Sequence, residues 1–207
     1  MTGQGSPTSF EILRRIGRKA EAGKRCELCN ERVASTHDHL LEPETRKILC
    51  VCEACGLLFD NTTRTKYKRV PRRILFLNGF EITNPEWDSL AIPIGMAFFV
   101  RRGTDGRMLA IYPSPAGPVE SLLTLDAWEE IASRSSSIGA LQTDVEAVLA
   151  NRAAGEYYIA PIDECFRLVG LIRAHWRGLS GGTEVWNEIR SFFAGLNARA
   201  TPEVRHA

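Results

Sequence analysis

Five of the six cysteines lie in one short stretch of the chain, between Cys26 and Cys55. They form the patterns Cys26-Glu-Leu-Cys29 and Cys50-Val-Cys52-Glu-Ala-Cys55, so that 22 residues separate Cys29 from Cys52. A CxxC turn places two thiolates on the same side of a tight knuckle, and two knuckles can complete a tetrahedron of four sulfurs around one metal ion. The spacing therefore predicts a metal site formed by Cys26, Cys29, Cys52 and Cys55.

Three further side chains near these pairs could also bind metal, namely His37, His39 and Cys50. The sequence Glu-Pro-Glu-Thr at 42–45 is typical of a turn. If this turn closes a hairpin, the numbers of facing residues sum to about 87, which places His37 opposite Cys50. Side chains of a strand repeat every second residue, so both histidines would share a face with Cys50 and Cys52. These three residues could replace a cysteine, hold a second metal ion or orient the primary ligands.

Zinc is the expected metal, because paired CxxC motifs in a protein of a reducing compartment are typical of zinc sites. Four cysteines also hold a single iron ion or an iron–sulfur cluster, and spacing alone does not separate these metals. A zinc ion with four protein ligands has no open position for a substrate. We therefore expect a structural zinc module and no enzymatic activity, whereas iron in the same cysteines would make the protein an electron carrier.

The cysteine segment also has features of a degenerate His-Asn-His endonuclease, with Asp38-His39 between its two CxxC pairs. In that family a histidine follows the last cysteine and an asparagine precedes the last pair. Here Gly56 follows Cys55, and no asparagine lies between His39 and Cys52. These departures remove a metal ligand and a positioning residue, so nuclease chemistry is not expected.

The position of the cysteines divides the chain into a small module and a larger domain. With 207 residues, 44% of them hydrophobic, and a net charge of +1, the chain can bury a core, and disorder is excluded as its main description. We predict an N-terminal helix over 1–23, a Cys-rich, zinc-ribbon-like metal-binding module over 24–60, a basic linker over 61–73 and an α+β domain over 74–200. A module this small needs metal to fold.

The larger domain shows strand signals first and helix signals later. Short apolar runs bounded by turn residues predict strands at 74–77, 97–101, 108–112 and 157–162. Helix starts are predicted at Asn84-Pro85, at Thr143, at Asp163 and after Gly181-Gly182. At the second of these, Thr143 and Glu146 have the spacing of a capping box. The last predicted helix carries an apolar stripe of Val185, Ile189, Phe192, Phe193 and Leu196.

Charge and hydropathy indicate where the protein is located and whether it binds membranes or nucleic acid. No apolar run is long enough to span a bilayer, and the first residues do not resemble a secretory signal, so a cytoplasmic protein is expected. The predicted linker carries six basic residues and no acidic one, and could contact phosphates, with Tyr67 available for stacking. The near-neutral net charge argues against nucleic acid as the main partner, so a nucleic-acid-binding zinc module is the lesser alternative.

Several stretches together resemble an uncharacterised bacterial family, a domain of unknown function whose genes often lie beside those for nickel–iron hydrogenases. The stretches are RCELC, HDHLLEPETRKILCVCEAC, WDSLAIPIGMAFF, YPSPAGPVESLL and YYIAPIDECFRLVGLIRAHWRGLSGG. This resemblance implies an accessory role in hydrogenase maturation, metal handling or assembly, with a hydrogenase subunit or maturation factor as partner. The sequence thus predicts a non-enzymatic, zinc-binding accessory protein.

Overall fold

The structure, a computed structural model, describes residues 24–60, 66–121 and 126–203. The helix predicted over 1–23 lies outside these residues. The predicted α+β fold is confirmed, because helices combine with largely antiparallel sheets and a cysteine cluster precedes a larger domain. Within the described ranges, no helix is both long enough and apolar enough to cross a membrane.

The cysteine module is built on a three-stranded sheet. Strands β1 (Asp38–Glu42) and β2 (Lys47–Val51) form an antiparallel hairpin, and the short helix α1 (Glu53–Leu57) follows it. The third strand, β3 (Lys68–Arg69), pairs antiparallel with β1 on the side away from β2. Part of the segment predicted as a basic linker is therefore a strand of the module's own sheet.

The larger domain is organised around a seven-stranded sheet with the strand order β10-β4-β9-β8-β5-β6-β7. Neighbouring strands are antiparallel except for β10 and β4, which are parallel. The strands are β4 (Leu75–Phe76), β5 (Met96–Arg101), β6 (Met108–Ser114), β7 (Gly117–Glu120), β8 (Glu146–Asn151), β9 (Glu156–Pro161) and β10 (Thr201–Pro202).

The central strands of this sheet are buried on both faces, because alternate side chains enter two different cores. Phe98 and Tyr158 pack on one face, whereas Phe99 and Ile159 pack on the other. Helices α5 (Ile162–His175) and α6 (Gly182–Asn197) cover the first face. Helices α2 (Asn84–Ser89), α3 (Asp126–Ser133) and α4 (Ser136–Gly139) cover the second.

One helix predicted from the sequence is a strand. The residues that follow Thr143 form β8, which lies between β5 and β9 in the sheet. A strand that is buried on both faces reads as a continuous apolar run, and periodicity alone does not separate such a run from a helix. The prediction for the last helix is confirmed, because all five residues of its apolar stripe are buried in α6.

The cysteine module shares its core with the larger domain. Leu41 of β1 and Val70, just after β3, belong to the same buried cluster as Val145 and Ile162. An ion pair between Lys68 Nζ and Asp144 Oδ2, 2.7 Å apart, crosses the same boundary. The module is thus packed against the first face of the large sheet rather than joined to it by a solvated linker.

The basic residues that follow the module are neutralised within the protein. Every lysine and arginine from 66 to 73 contacts a carboxylate, in the pairs Lys66–Glu42, Lys68–Asp144, Arg69–Asp38, Arg72–Asp38 and Arg73–Glu146. Asp38 is 3% exposed and Glu146 is fully buried. Because a buried carboxylate needs a compensating cation, these basic side chains are structural partners.

Replacing Arg73 by methionine should lower the free energy of unfolding by about 3 kcal/mol, because the buried Glu146 carboxylate loses its bidentate partner. This cost is at the lower end for buried pairs, since Arg73 itself is half-exposed. Urea denaturation of the metal-loaded protein measures the change. The matched control is Arg107→Met, whose side chain is 79% exposed and lies 3.8 Å from Asp105, and which should alter stability far less. Equal effects of the two substitutions would contradict the structural role of Arg73.

Candidate metal centre

The four cysteines predicted as primary ligands converge on one point. Their Sγ atoms all lie within 4.8 Å of one another, and Cys29 Sγ lies 3.7 Å from Cys52 Sγ. A tetrahedral zinc–thiolate site with bonds of about 2.3 Å separates its sulfurs by about 3.8 Å. The arrangement of Cys26, Cys29, Cys52 and Cys55, called the four-cysteine cluster below, therefore fits a single tetrahedral metal ion.

A tight turn forms the first knuckle of the cluster. The Asn30 N–H donates to the carbonyl of Cys26 at 2.8 Å, and the Cys26 N–H donates to the carbonyl of Glu31 at 2.7 Å. Asn30 has a left-handed conformation with φ 64°. Asparagine adopts this conformation more readily than most residues, which lets the chain reverse directly after Cys29.

The second knuckle is the start of helix α1. Cys52 is the N-cap, and its Sγ accepts a hydrogen bond from the Cys55 N–H at 3.5 Å. Gly56 follows, and a Cβ atom at this position would lie 2.7 Å from Oδ2 of Asp38. The absence of a side chain at Gly56 therefore allows the knuckle to approach the buried Asp38 carboxylate, which Arg69 binds at 2.8 Å.

Glu27 connects the two knuckles. Its N–H donates to the carbonyl of Cys50 at 2.9 Å, and its carboxylate Oε2 accepts from the Cys50 N–H at 2.7 Å. Cys50 lies on β2, which leads directly into the second knuckle. The first knuckle is thus hydrogen-bonded to the strand that positions the other two ligands, so the cluster is fixed by backbone contacts.

The thiols of the cluster differ in acidity. Burial raises the pKa of Cys26, but N–H groups of the backbone at Cys29, Cys52 and Leu28 outweigh it and lower the pKa to about 6. Burial, together with the neighbouring thiols, raises the pKa of Cys55 to about 12. A hydrogen bond from the Glu31 backbone lowers the pKa of Cys29, but the thiols of Cys26 and Cys52 raise it, and the net shift is upward. A cation must therefore replace protons before all four sulfurs are thiolates.

The remaining predicted ligands form a second group. Ligand atoms of His37, His39 and Cys50 lie within 4.8 Å of one another. His39, not His37, faces Cys50, so the predicted register was wrong by two residues. The turn between β1 and β2 spans the four residues 43–46, and Glu42 pairs with Lys47. Because this shift is an even number, the histidines still share a face with Cys50.

The seven predicted ligands therefore separate into two groups. Cys52 does not join the histidines, because it lies beyond the end of β2 and begins α1 instead. Sequence reasoning missed the contribution of Asp163, which was predicted only as a helix start. Its Oδ2 lies 2.6 Å from Nδ1 of His39, although 124 residues separate the two in the chain. No local pattern signals a contact between residues so far apart.

Comparison with known proteins identifies a family that includes these residues. A family model described as "Family of unknown function (DUF5947)" matches residues 25–200. This range includes both ligand groups and almost all of the described part of the larger domain. Neither a curated protein nor a solved structure gives a significant match.

Zinc binding to the four-cysteine cluster should release at least two protons per ion at pH 7. Cys29 and Cys55 have raised pKa values and are protonated at this pH, whereas Cys26, with a pKa of about 6, is largely ionised. Because the metal binds thiolates, affinity should rise with pH, by roughly a hundredfold per unit near pH 7. Calorimetric titration in buffers of different ionisation enthalpy counts the protons. Release of fewer than two protons would contradict these thiol acidities.

Proposed function

The chain belongs to the family of unknown function DUF5947, and we propose that it is a metal-binding accessory protein whose four-cysteine cluster holds one zinc ion. The observation that carries the proposal is the convergence of four sulfur atoms from two knuckles within 4.8 Å. With four protein ligands, such an ion has no open position for a substrate. The proposed role of this zinc ion is therefore structural, and the protein is not an enzyme at this site.

The small core of the module supports a structural role for the metal. Besides Cys26 and Cys55, its own buried cluster contains only Leu40, Leu49 and Val51 among the described residues. This local core is small, so the stability of the module depends on its contacts with the larger domain and on the proposed metal ion. Structural zinc contributes on the order of 10–16 kcal/mol in small zinc-finger peptides, which is enough to fold a module of this size.

A protein partner is proposed from the exposed apolar side chains. In the described ranges, large hydrophobic residues are exposed at two places: Leu28, Leu57 and Leu58 beside the four-cysteine cluster, and Leu179 and Trp186 on the larger domain. Exposed apolar side chains that occur in groups are typical of interaction surfaces. The residues of the first group neighbour Cys29 and Cys55 in the sequence, so metal binding would shape that part of the surface.

The second apolar group is presented by an ordered turn. The indole N–H of Trp176 donates to the carbonyl of Gly178 at 2.9 Å, and that of Trp186 donates to the carbonyl of Ser180 at 3.1 Å. Leu179, at the tip between these contacts, is fully exposed. A side chain held on an ordered turn loses little conformational freedom on binding, which favours recognition by a partner.

The partner that we propose is a subunit or maturation factor of a nickel–iron hydrogenase. This part of the proposal rests on the resemblance of RCELC, YYIAPIDECFRLVG and the other stretches to a family encoded near hydrogenase genes. A cytoplasmic, reducing location agrees with the six cysteines, all of which are free thiols. Within such a system the accessory protein would serve maturation, metal handling or assembly.

An electron carrier with iron in the same cysteines is the second candidate. The exposure of Cys29 favours it, because a thiolate ligand at the surface gives a redox partner close access to the metal. Four cysteines hold iron as well as zinc. The nucleic-acid alternative has no comparable support, since the basic side chains from 66 to 73 are all paired with carboxylates.

Protein purified without oxygen should be colourless and contain zinc, and the Cys29→Ser and Cys52→Ser variants should each lose zinc from the four-cysteine cluster. Elemental analysis and a visible spectrum of the same sample test both statements. Cys165→Ala is the matched control, because Cys165 is a buried thiol of α5 and should leave the metal content unchanged. Iron with a thiolate absorption band would replace the structural proposal with electron transfer, and folded protein without metal would refute both.

Replacing Leu179 or Leu58 by serine should weaken binding to the hydrogenase partner at least tenfold without lowering stability, because each side chain is exposed in the free protein. Titration of purified hydrogenase subunits and maturation factors with the zinc-loaded protein measures the affinity. Arg107→Ser, at another exposed position, is the control and should bind like the unaltered chain. Absence of binding to all these proteins would remove the hydrogenase assignment and leave the zinc assignment intact.

A further inference from the structure

The three ligands outside the four-cysteine cluster are arranged as a site of their own. His37 and His39 have ring centroids 4.8 Å apart and meet edge to face at 74°. Cys50 lies directly opposite His39 across the β1–β2 ladder. Ligand atoms of all three residues fall within 4.8 Å of one another. This group is called the His-His-Cys group below.

Both imidazole rings have one nitrogen occupied by an oxygen acceptor. Nδ1 of His37 lies 2.9 Å from the carbonyl oxygen of Ala34, and Nδ1 of His39 lies 2.6 Å from Oδ2 of Asp163. A carbonyl and a carboxylate can only accept, so the proton of each neutral ring lies on Nδ1. The Nε2 atoms therefore carry free lone pairs. A metal-binding histidine typically has this arrangement, with its other nitrogen donating to a carboxylate or backbone carbonyl.

His37 provides an independent sign of a missing ligand. Its Nε2 atom is buried and has no hydrogen-bond partner in the described part of the chain. A buried nitrogen lone pair without a partner destabilises the folded protein, because it has lost its hydrogen bonds to water. A metal ion coordinated by this lone pair would satisfy it.

We propose that His37, His39 and Cys50 form a second metal site, for a divalent transition-metal ion such as zinc, with one coordination position open. Two imidazole nitrogens and one thiolate suit this class of ions, and calcium and magnesium prefer oxygen ligands. Bonds of about 2.0–2.3 Å in a tetrahedron separate the ligand atoms by about 3.3–3.6 Å, which lies within the 4.8 Å limit that the three ligand atoms share.

The two sites differ in the number of coordination positions that they leave open. The four-cysteine cluster fills all four positions of a tetrahedral ion, whereas the His-His-Cys group fills three and leaves room for a water, an exogenous ligand or a partner's side chain. The second site also reaches the larger domain, because Asp163 lies in the first turn of α5. Asp163 is a positioning residue that fixes the His39 ring, and it does not itself bind the metal.

This inference is independent of the proposed function, and one set of titrations separates the two. Zn²⁺ is added to metal-free protein under anaerobic conditions and the bound ions are counted, then Co²⁺ is used to report the ligands by its absorption. The unaltered chain should bind two ions. His37→Ala and Cys50→Ala should bind one, with the absorption of a four-thiolate Co²⁺ site retained. Cys29→Ser should instead lose that absorption.

Two further variants test the roles of single residues. Asp163→Asn should weaken the second ion 10- to 100-fold and leave the first ion unchanged, because it removes the carboxylate that orients His39 and no ligand. His175→Ala is the matched control, since this histidine pairs with Glu184 at 2.9 Å and lies outside both ligand groups; it should bind two ions. Binding of a single ion by the unaltered chain, or of two ions by His37→Ala, overturns the proposal.

Discussion

The structure of the N-terminal module depends on the close placement of four sulfur atoms within 4.8 Å of one another. Four thiolates at this distance repel one another too strongly to persist without a cation. Four protonated thiols, in contrast, would lack the negative charge that binds a metal ion. The surrounding backbone lowers the pKa of Cys26 and burial raises that of Cys55, so the four thiols differ in the ease with which they ionise. The hydrogen bonds of Glu27 and the left-handed turn at Asn30 keep the sulfurs together against this repulsion.

Strand β1 carries this arrangement into the rest of the molecule. Its even-numbered side chains face the module, where Asp38 lies next to Gly56 and Leu40 fills the small core. Its odd-numbered side chains face the larger domain, where His39 contacts Asp163 and Leu41 joins the main core. One strand of five residues thus supports the four-cysteine cluster, the His-His-Cys group and the interface between module and domain.

How far the sequence predicted the structure depended on the distance over which each interaction acts. The two CxxC pairs are local patterns, and their convergence followed from spacing alone. The histidine register failed by two residues because it depends on the length of the turn at 43–46, which composition did not define. The sequence of β8 predicts a helix because burial on both faces removes the alternation that identifies a strand. The partners of the basic segment, such as Asp144 and Glu146, lie over 70 residues away and left no local signal.

The wide separation of His39 and Asp163 in the chain has a consequence for biosynthesis. All four cysteines of the cluster leave the ribosome within a segment of some thirty residues, so the first ion can be captured while translation is still under way. Asp163 emerges 124 residues after His39. The second site therefore acquires its orienting carboxylate only when α5 has been made and has docked on the hairpin. Ions bound at the two proposed sites would therefore be acquired in a fixed order, the four-cysteine ion first.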